Sequence, residues 1–140
     1  MFSFKCFQFF SFLLSTLLIL TQCTQKTSAD YVGEGLIYTK NAQYDEALKV
    51  FKQAAELDPK NPDAHYGLGG IYNQKEDYHA AEKAFLITLK VDPTFIDAYY
   101  SLGYTYEKMN QKEKAQKYYK KYKTIKKKFT SLLEKEKIKP

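Results

Sequence analysis

Two histidines, two cysteines and a cluster of glycines are the residues of this 140-residue chain whose types open the commonest routes to chemistry. His65 and His79 are not paired with another histidine or cysteine at a ligand spacing, and Cys6 and Cys23 both lie in an apolar N-terminal stretch. A metal centre therefore lacks its donor set. Gly67, Gly69 and Gly70 have the composition of a phosphate-binding loop, but no strand pattern precedes them and their spacing is wrong for one. No serine or cysteine nucleophile is set beside a base in any catalytic signature. These residues predict no catalytic group, no cofactor and no metal.

Lysines and tyrosines offer binding chemistry instead. All 22 basic residues are lysine. Residues 24–107 hold 8 Lys against 13 acids, a net −5, whereas residues 108–140 hold 13 Lys against 3 acids, a net +10. An acidic body with a basic end steers anionic partners to that end. The candidates for contact with lipid headgroups or another polyanion are Lys117, Lys120, Lys121, Lys123, Lys126, Lys127 and Lys128. Of the 13 tyrosines, seven fall between residues 96 and 129. Tyrosine joins a flat apolar face to a hydroxyl, which suits peptide recognition.

The elements that must position these side chains are set by a repeat of 34 residues. Tyr38, Tyr72 and Tyr106 coincide at that period, as do Gly35, Gly69 and Gly103, Ala47, Ala81 and Ala115, and the rings Phe51, Phe85 and Tyr119. Asp58-Pro59 returns as Asp92-Pro93. Small and aromatic residues at fixed offsets predict an array of helical hairpins, each burying its apolar face only against its neighbours. The glycine offset reads as the place where two helices of one hairpin approach closely.

The local signals are specific. Thr27 and Asp30 form a capping box ahead of a helix over residues 28–40, Asn41-Ala42-Gln43 turns the chain, and a second helix runs over 44–57. Asn61 caps and Pro62 opens a third helix over 62–74, followed by a fourth over 78–91. Thr94 and Asp97 read as another capping box, with a helix ending near 109. Ala115, Tyr118, Tyr119, Tyr122, Ile125, Phe129, Leu132 and Leu133 keep a helical spacing to the end, so one helix is predicted from about 111 to 137, its tail capping the open end of the stack. A break near Thr130-Ser131 is the alternative.

This pattern resembles the tetratricopeptide repeat, with copies at residues 28–61, 62–95 and 96–129 and a basic extension over 130–140. The second copy carries Leu68-Gly69, Tyr72, Tyr78, Ala81, Phe85 and Asp92-Pro93 at the family's offsets. Glu34 replaces an expected leucine, Lys112 an aromatic, Tyr122 a small residue and Lys127 a proline. Glu34 fits a first repeat with no predecessor to cover it.

The resemblance implies an all-α solenoid whose first helices line a concave groove. At matching offsets the groove would be lined by Val32, Leu36, Tyr66, Asn73, Tyr100 and Tyr104, with Asp63, Asp97 and Glu107 nearby, favouring a neutral or basic peptide. Repeats that clamp the C-terminal carboxylate of chaperones use Lys, Asn and Arg; the matching positions here are Val32, Leu36, Gly67, Asp97 and Ser101. The same rings would also serve packing against the last helix or self-association.

Residues 1–22 combine one lysine, Lys5, with an apolar run over 7–20 that is shorter than the ~20 residues of a membrane-spanning helix, the form of an export signal. Leu20 and Cys23 resemble a bacterial lipoprotein signal, although Gln22 departs from the small residue usual there. That resemblance implies cleavage before Cys23, acylation of Cys23, and a tether over residues 23–27 that holds the repeats close to a membrane of the cell envelope. Without acylation the protein would be secreted. Export argues against nucleic acid as a partner. The combined expectation is a non-catalytic, membrane-tethered adaptor that binds a protein or peptide, with polyanion binding through the lysine-rich helix as the alternative.

Overall fold

The computed structural model describes residues 25–137; the export segment and Cys23 lie outside them. Six helices and no strand occur among these residues. They are α1 (Ser28–Lys40), α2 (Tyr44–Leu57), α3 (Pro62–Gln74), α4 (Tyr78–Val91), α5 (Ile96–Lys108) and α6 (Lys112–Lys137). α1 packs on α2, α3 on α4 and α5 on α6, and each hairpin packs on the next.

Each start and stop has a local cause. Before α1 the Thr27 hydroxyl accepts from the Asp30 amide at 3.2 Å and the Asp30 carboxylate accepts from the Thr27 amide at 2.8 Å, a complete capping box. The bond from the Thr27 amide first, then one from the Thr27 hydroxyl to the same carboxylate at 2.7 Å, hold the Asp30 carboxyl below its usual range. Before α3, Asn61 Oδ1 accepts from the amides of Asp63 and Ala64 at 3.0 and 3.2 Å. Within every hairpin one turn residue is left-handed: Ala42 at φ 58°, Glu76 at 61° and Asn110 at 58°, spaced by the repeat.

The third hairpin departs from its expected cap. Its N-cap is Phe95, which has no side-chain acceptor, and Thr94 donates instead to Asp92 Oδ1 at 2.6 Å. Thr94 stands one residue too early: the repeat aligns Thr27, Asn61 and Phe95. Phe95 stacks on Tyr66, ring centroids 4.8 Å apart, so an apolar contact between hairpins replaces a polar cap.

Rings wedged against glycines hold each hairpin closed. A Cβ on Gly35, Gly69 or Gly103 would fall 2.6, 2.5 or 2.5 Å from Phe51, Phe85 or Tyr119 respectively. Phe51 also abuts Gly67 of the next hairpin, so one ring fills a slot between two glycines. Two core clusters result. Ala47, Phe51, Leu68, Ile71 and Ala84 form the first, and Ala81, Phe85, Leu102, Tyr106 and Ala115 the second. Among the repeat tyrosines Tyr106 is buried, while Tyr31, Tyr38, Tyr72 and Tyr99 are half-buried. Glu34, facing no earlier repeat, pairs with Lys26 at 2.7 Å.

α6 is continuous through Thr130-Ser131 but does not cap the stack. Its first half runs antiparallel to α5, with Tyr118 on Tyr106 and Tyr122 on Tyr100. Past Ile125 it leaves the body, and Phe129, Leu132 and Leu133 stay 52, 51 and 43% exposed. The helix does not fold back because nothing breaks it: Lys127 stands where a proline would end the unit.

Candidate binding groove

The first helices of the three hairpins, α1, α3 and α5, form one wall each of an open groove of about 320 Å³. Four offsets of the repeat recur in its lining. Tyr66 and Tyr100 come from one, Gly67 and Ser101 from another, Leu36, Gly70 and Tyr104 from a third, and Thr39 and Asn73 from the fourth, with Phe51 and Phe85 as the floor. No residue of α6 lines it, so the last helix leaves the groove open. No charged side chain lines it either.

A short polar network fixes the groove's centre. Thr105, fully buried, donates its hydroxyl to the Ser101 carbonyl at 2.8 Å and lies 3.1 Å from Asn73 Oδ1. Beyond that contact the Asn73 terminal amide has no partner among the described residues, so it keeps hydrogen-bonding capacity beside the rings. Ser101 reaches the Tyr66 hydroxyl at 3.4 Å. Tyr66 is held from behind by Phe85 and Phe95, while Tyr100 leans on Tyr119 and Tyr122 at 5.5 and 5.3 Å and is still 52% exposed.

Five expected groove residues, Leu36, Tyr66, Asn73, Tyr100 and Tyr104, are brought together. Four are not. Val32 packs against the first core cluster, because the terminal hairpin has no neighbour to turn it outward. Glu107 is drawn aside by Tyr119, whose hydroxyl donates to it at 2.7 Å. Asp63 and Asp97 sit exposed in the first turns of α3 and α5, where the helix dipole favours an acid. The groove is consequently less acidic than its expected rim. Thr39 and Gln74 line it without having been singled out; Thr39 shares the offset of Asn73, a signal that was present in the repeat.

The lysine candidates lie apart from the groove. Lys117, Lys120 and Lys121 edge a shallow depression along α6, and Lys123, Lys126, Lys127 and Lys128 are exposed farther along the same helix. Among the described residues no cluster of His, Cys, Asp or Glu is arranged to hold a metal ion. His65 is half-buried with Nε2 2.9 Å from the Pro59 carbonyl, the position from which Tyr99 bonds Pro93 at 2.9 Å one repeat later. His79 is exposed.

Comparison with known families settles what these hairpins are. A TPR repeat model matches residues 35–75, and a tetratricopeptide repeat model matches residues 62–95 and 96–129. The chain is a tetratricopeptide repeat array. Crystal structures of MamA superpose with a TM-score of 0.72 at 28% identity over 75% of this chain and 61% of that one. A second MamA structure gives 0.69 and 28% over 75% and 57%, so the chain spans about three-fifths of the MamA chains it matches. The first TPR of Spaghetti (RPAP3), bound to the HSP90 peptide SRMEEVD, gives 0.69 at 21% identity over 71% and 79%. No curated protein matches the chain.

The tetratricopeptide hairpins explain the geometry of the groove. In each of the first two repeats the second helix sends a phenylalanine through a glycine slot toward the concave side, and the ring becomes the groove floor. In the third repeat the equivalent Tyr119 carries a hydroxyl that needs a partner, and Glu107 supplies it. Desolvation first, then the bond to Glu107, pushes the Tyr119 phenol above its usual range.

Proposed function

We propose that this tetratricopeptide repeat protein is a non-catalytic adaptor that holds an extended peptide segment of another protein in its groove. The reading rests on one observation: exposed Leu36, Tyr100 and Tyr104 surround the terminal amide of Asn73 in an open, uncharged channel. Rings take apolar side chains, and the amide takes a backbone carbonyl. The RPAP3 repeats hold the acidic peptide SRMEEVD, but this groove has no lysine lining to meet carboxylates. A neutral or basic segment fits it better.

In the same reading, residues 1–22 export the chain and acylation of Cys23 holds it on a bacterial envelope membrane. The peptide reading is tested by binding of an array of neutral, basic and acidic peptides to the protein and to a Leu36→Glu, Tyr104→Ala variant. Both positions are exposed, so the variant keeps its fold. Tenfold or greater loss of neutral and basic binders is expected, and unchanged binding overturns the reading. The tether is tested separately by intact mass of membrane-extracted protein with a Cys23→Ala control; mature protein without acyl chains overturns it.

A further inference from the structure

The end of α6 is an amphipathic helix with no cover. Ile125, Phe129, Leu132 and Leu133 recur at the spacing of one helical face, and all but Ile125 are exposed. Lys126 and Lys128 border that face and Lys127 lies opposite. Residues 127–137 extend about 16 Å beyond the body at ~1.5 Å per residue.

The hairpin topology decides where this tail points. The Ser28 hydroxyl, at the start of α1, donates to the Ala54 carbonyl near the end of α2, and Asn61, ahead of α3, donates to Ser28. The beginnings of first helices and the ends of second helices therefore share one edge of the array. α6 reaches that edge beside the start of α5, where Lys121 lies over the Tyr99 ring and Tyr122 leans on Tyr100, and continues past it. Gln25 to Thr27, through which residues 1–24 join the fold, leave from the same edge.

We infer that the tail of α6 is a second membrane contact, inserting Phe129, Leu132 and Leu133 at the surface of an anionic phospholipid bilayer while its lysines meet the headgroups. The net +10 of residues 108–140, opposite in sign to the body, selects an anionic surface over an apolar or a basic one. The shared edge turns the tail toward the membrane that the N-terminal segment would hold. In this respect the inference rests on the proposed tether, but lipid binding by the tail does not require acylation.

The chain contains no tryptophan, so Leu132→Trp places a single indole reporter in the apolar face. The full chain carrying this substitution is reconstituted with vesicles of phosphatidylcholine alone or mixed with phosphatidylglycerol, and flotation and tryptophan emission are read together. Emission is expected to shift to shorter wavelength and become quenchable by brominated acyl chains only in the anionic vesicles. Replacing Lys126, Lys127 and Lys128 with glutamine should remove both effects. Flotation on neutral vesicles reports the N-terminal segment independently: flotation with unshifted emission on anionic vesicles overturns the tail contact and leaves the tether standing. Emission already shifted without vesicles, and dependent on protein concentration, assigns the face to a second copy of the chain and likewise overturns it. Shifted emission with flotation confined to anionic vesicles supports the tail contact and removes the tether.

Discussion

A Cβ built on Gly69 falls 2.5 Å from the Phe85 ring, closer than real side chains approach, and three ring atoms rather than one flexible tip stand in its way. The ring is itself fully buried and cannot retreat. Gly69→Ala is therefore expected to destabilise the fold by about 1–3 kcal/mol through overpacking, more than the helix-propensity gain of ~1 kcal/mol returns. Gly33, with nothing within 4 Å, gives the opposite result: Gly33→Ala should stabilise by about 0.5–1 kcal/mol. Urea unfolding of the two variants checks both signs, and equal behaviour would refute the wedge.

The left-handed turn residues carry strain of a different kind. Glu76 has a side chain at φ 61° and fully exposed surroundings. Glu76→Gly should raise stability by roughly 0.5–1 kcal/mol, since relief of ~1–2 kcal/mol exceeds the added freedom of the unfolded chain. Asn110, already a residue tolerant of this region, should gain less from the same change.

Alkaline pH reads the third hairpin. Burial, then the bond to Glu82, raises the Tyr106 phenol well above its usual value of about 10, and Tyr119 is raised by burial and Glu107. The neutral phenols are favoured in the fold, so their contribution is complete below pH 10 and is lost as pH rises toward the folded-state values. Absorbance titration should show these two rings ionising late, well above pH 10, with stability falling over the same range. A double Tyr106→Phe, Tyr119→Phe variant should lose the late phase; its persistence would reassign the shift.

Removing residues 127–140 tests whether the tail supports the fold. The side chains described from 127 to 134 are exposed, so the unfolding free energy should change by less than about 0.5 kcal/mol. A loss above ~1 kcal/mol would mean that the tail covers the stack after all.

Much of this architecture was legible in the sequence because a repeat states each rule three times. Glycines 35, 69 and 103 opposite rings 51, 85 and 119 gave the close approach within hairpins, and Asn61-Pro62 marked a helix start with a mechanism. What escaped lies where one copy departs from the others. Thr94 and Asp97 match a capping pattern, yet the repeat register gives the cap to Phe95, whose ring packs on Tyr66 and offers the helix no side-chain acceptor. Val32 and Glu107 occupy groove offsets but belong to the terminal hairpins, where the missing neighbour on one side and the Tyr119 hydroxyl on the other redirect them. The tail kept its apolar period beyond the length of α5, and periodicity alone does not say whether such a face finds protein to cover it.

With Gln25 to Thr27 and the tail of α6 at one edge, the opposite edge, at Asn41–Gln43, Lys75–Asp77 and Met109–Gln111, is the natural mounting point for anything an experimenter wishes to add. A fluorophore or affinity handle at Glu76, exposed in the turn after α3, would stand at the opposite edge of the array from Gln25 and from the tail of α6.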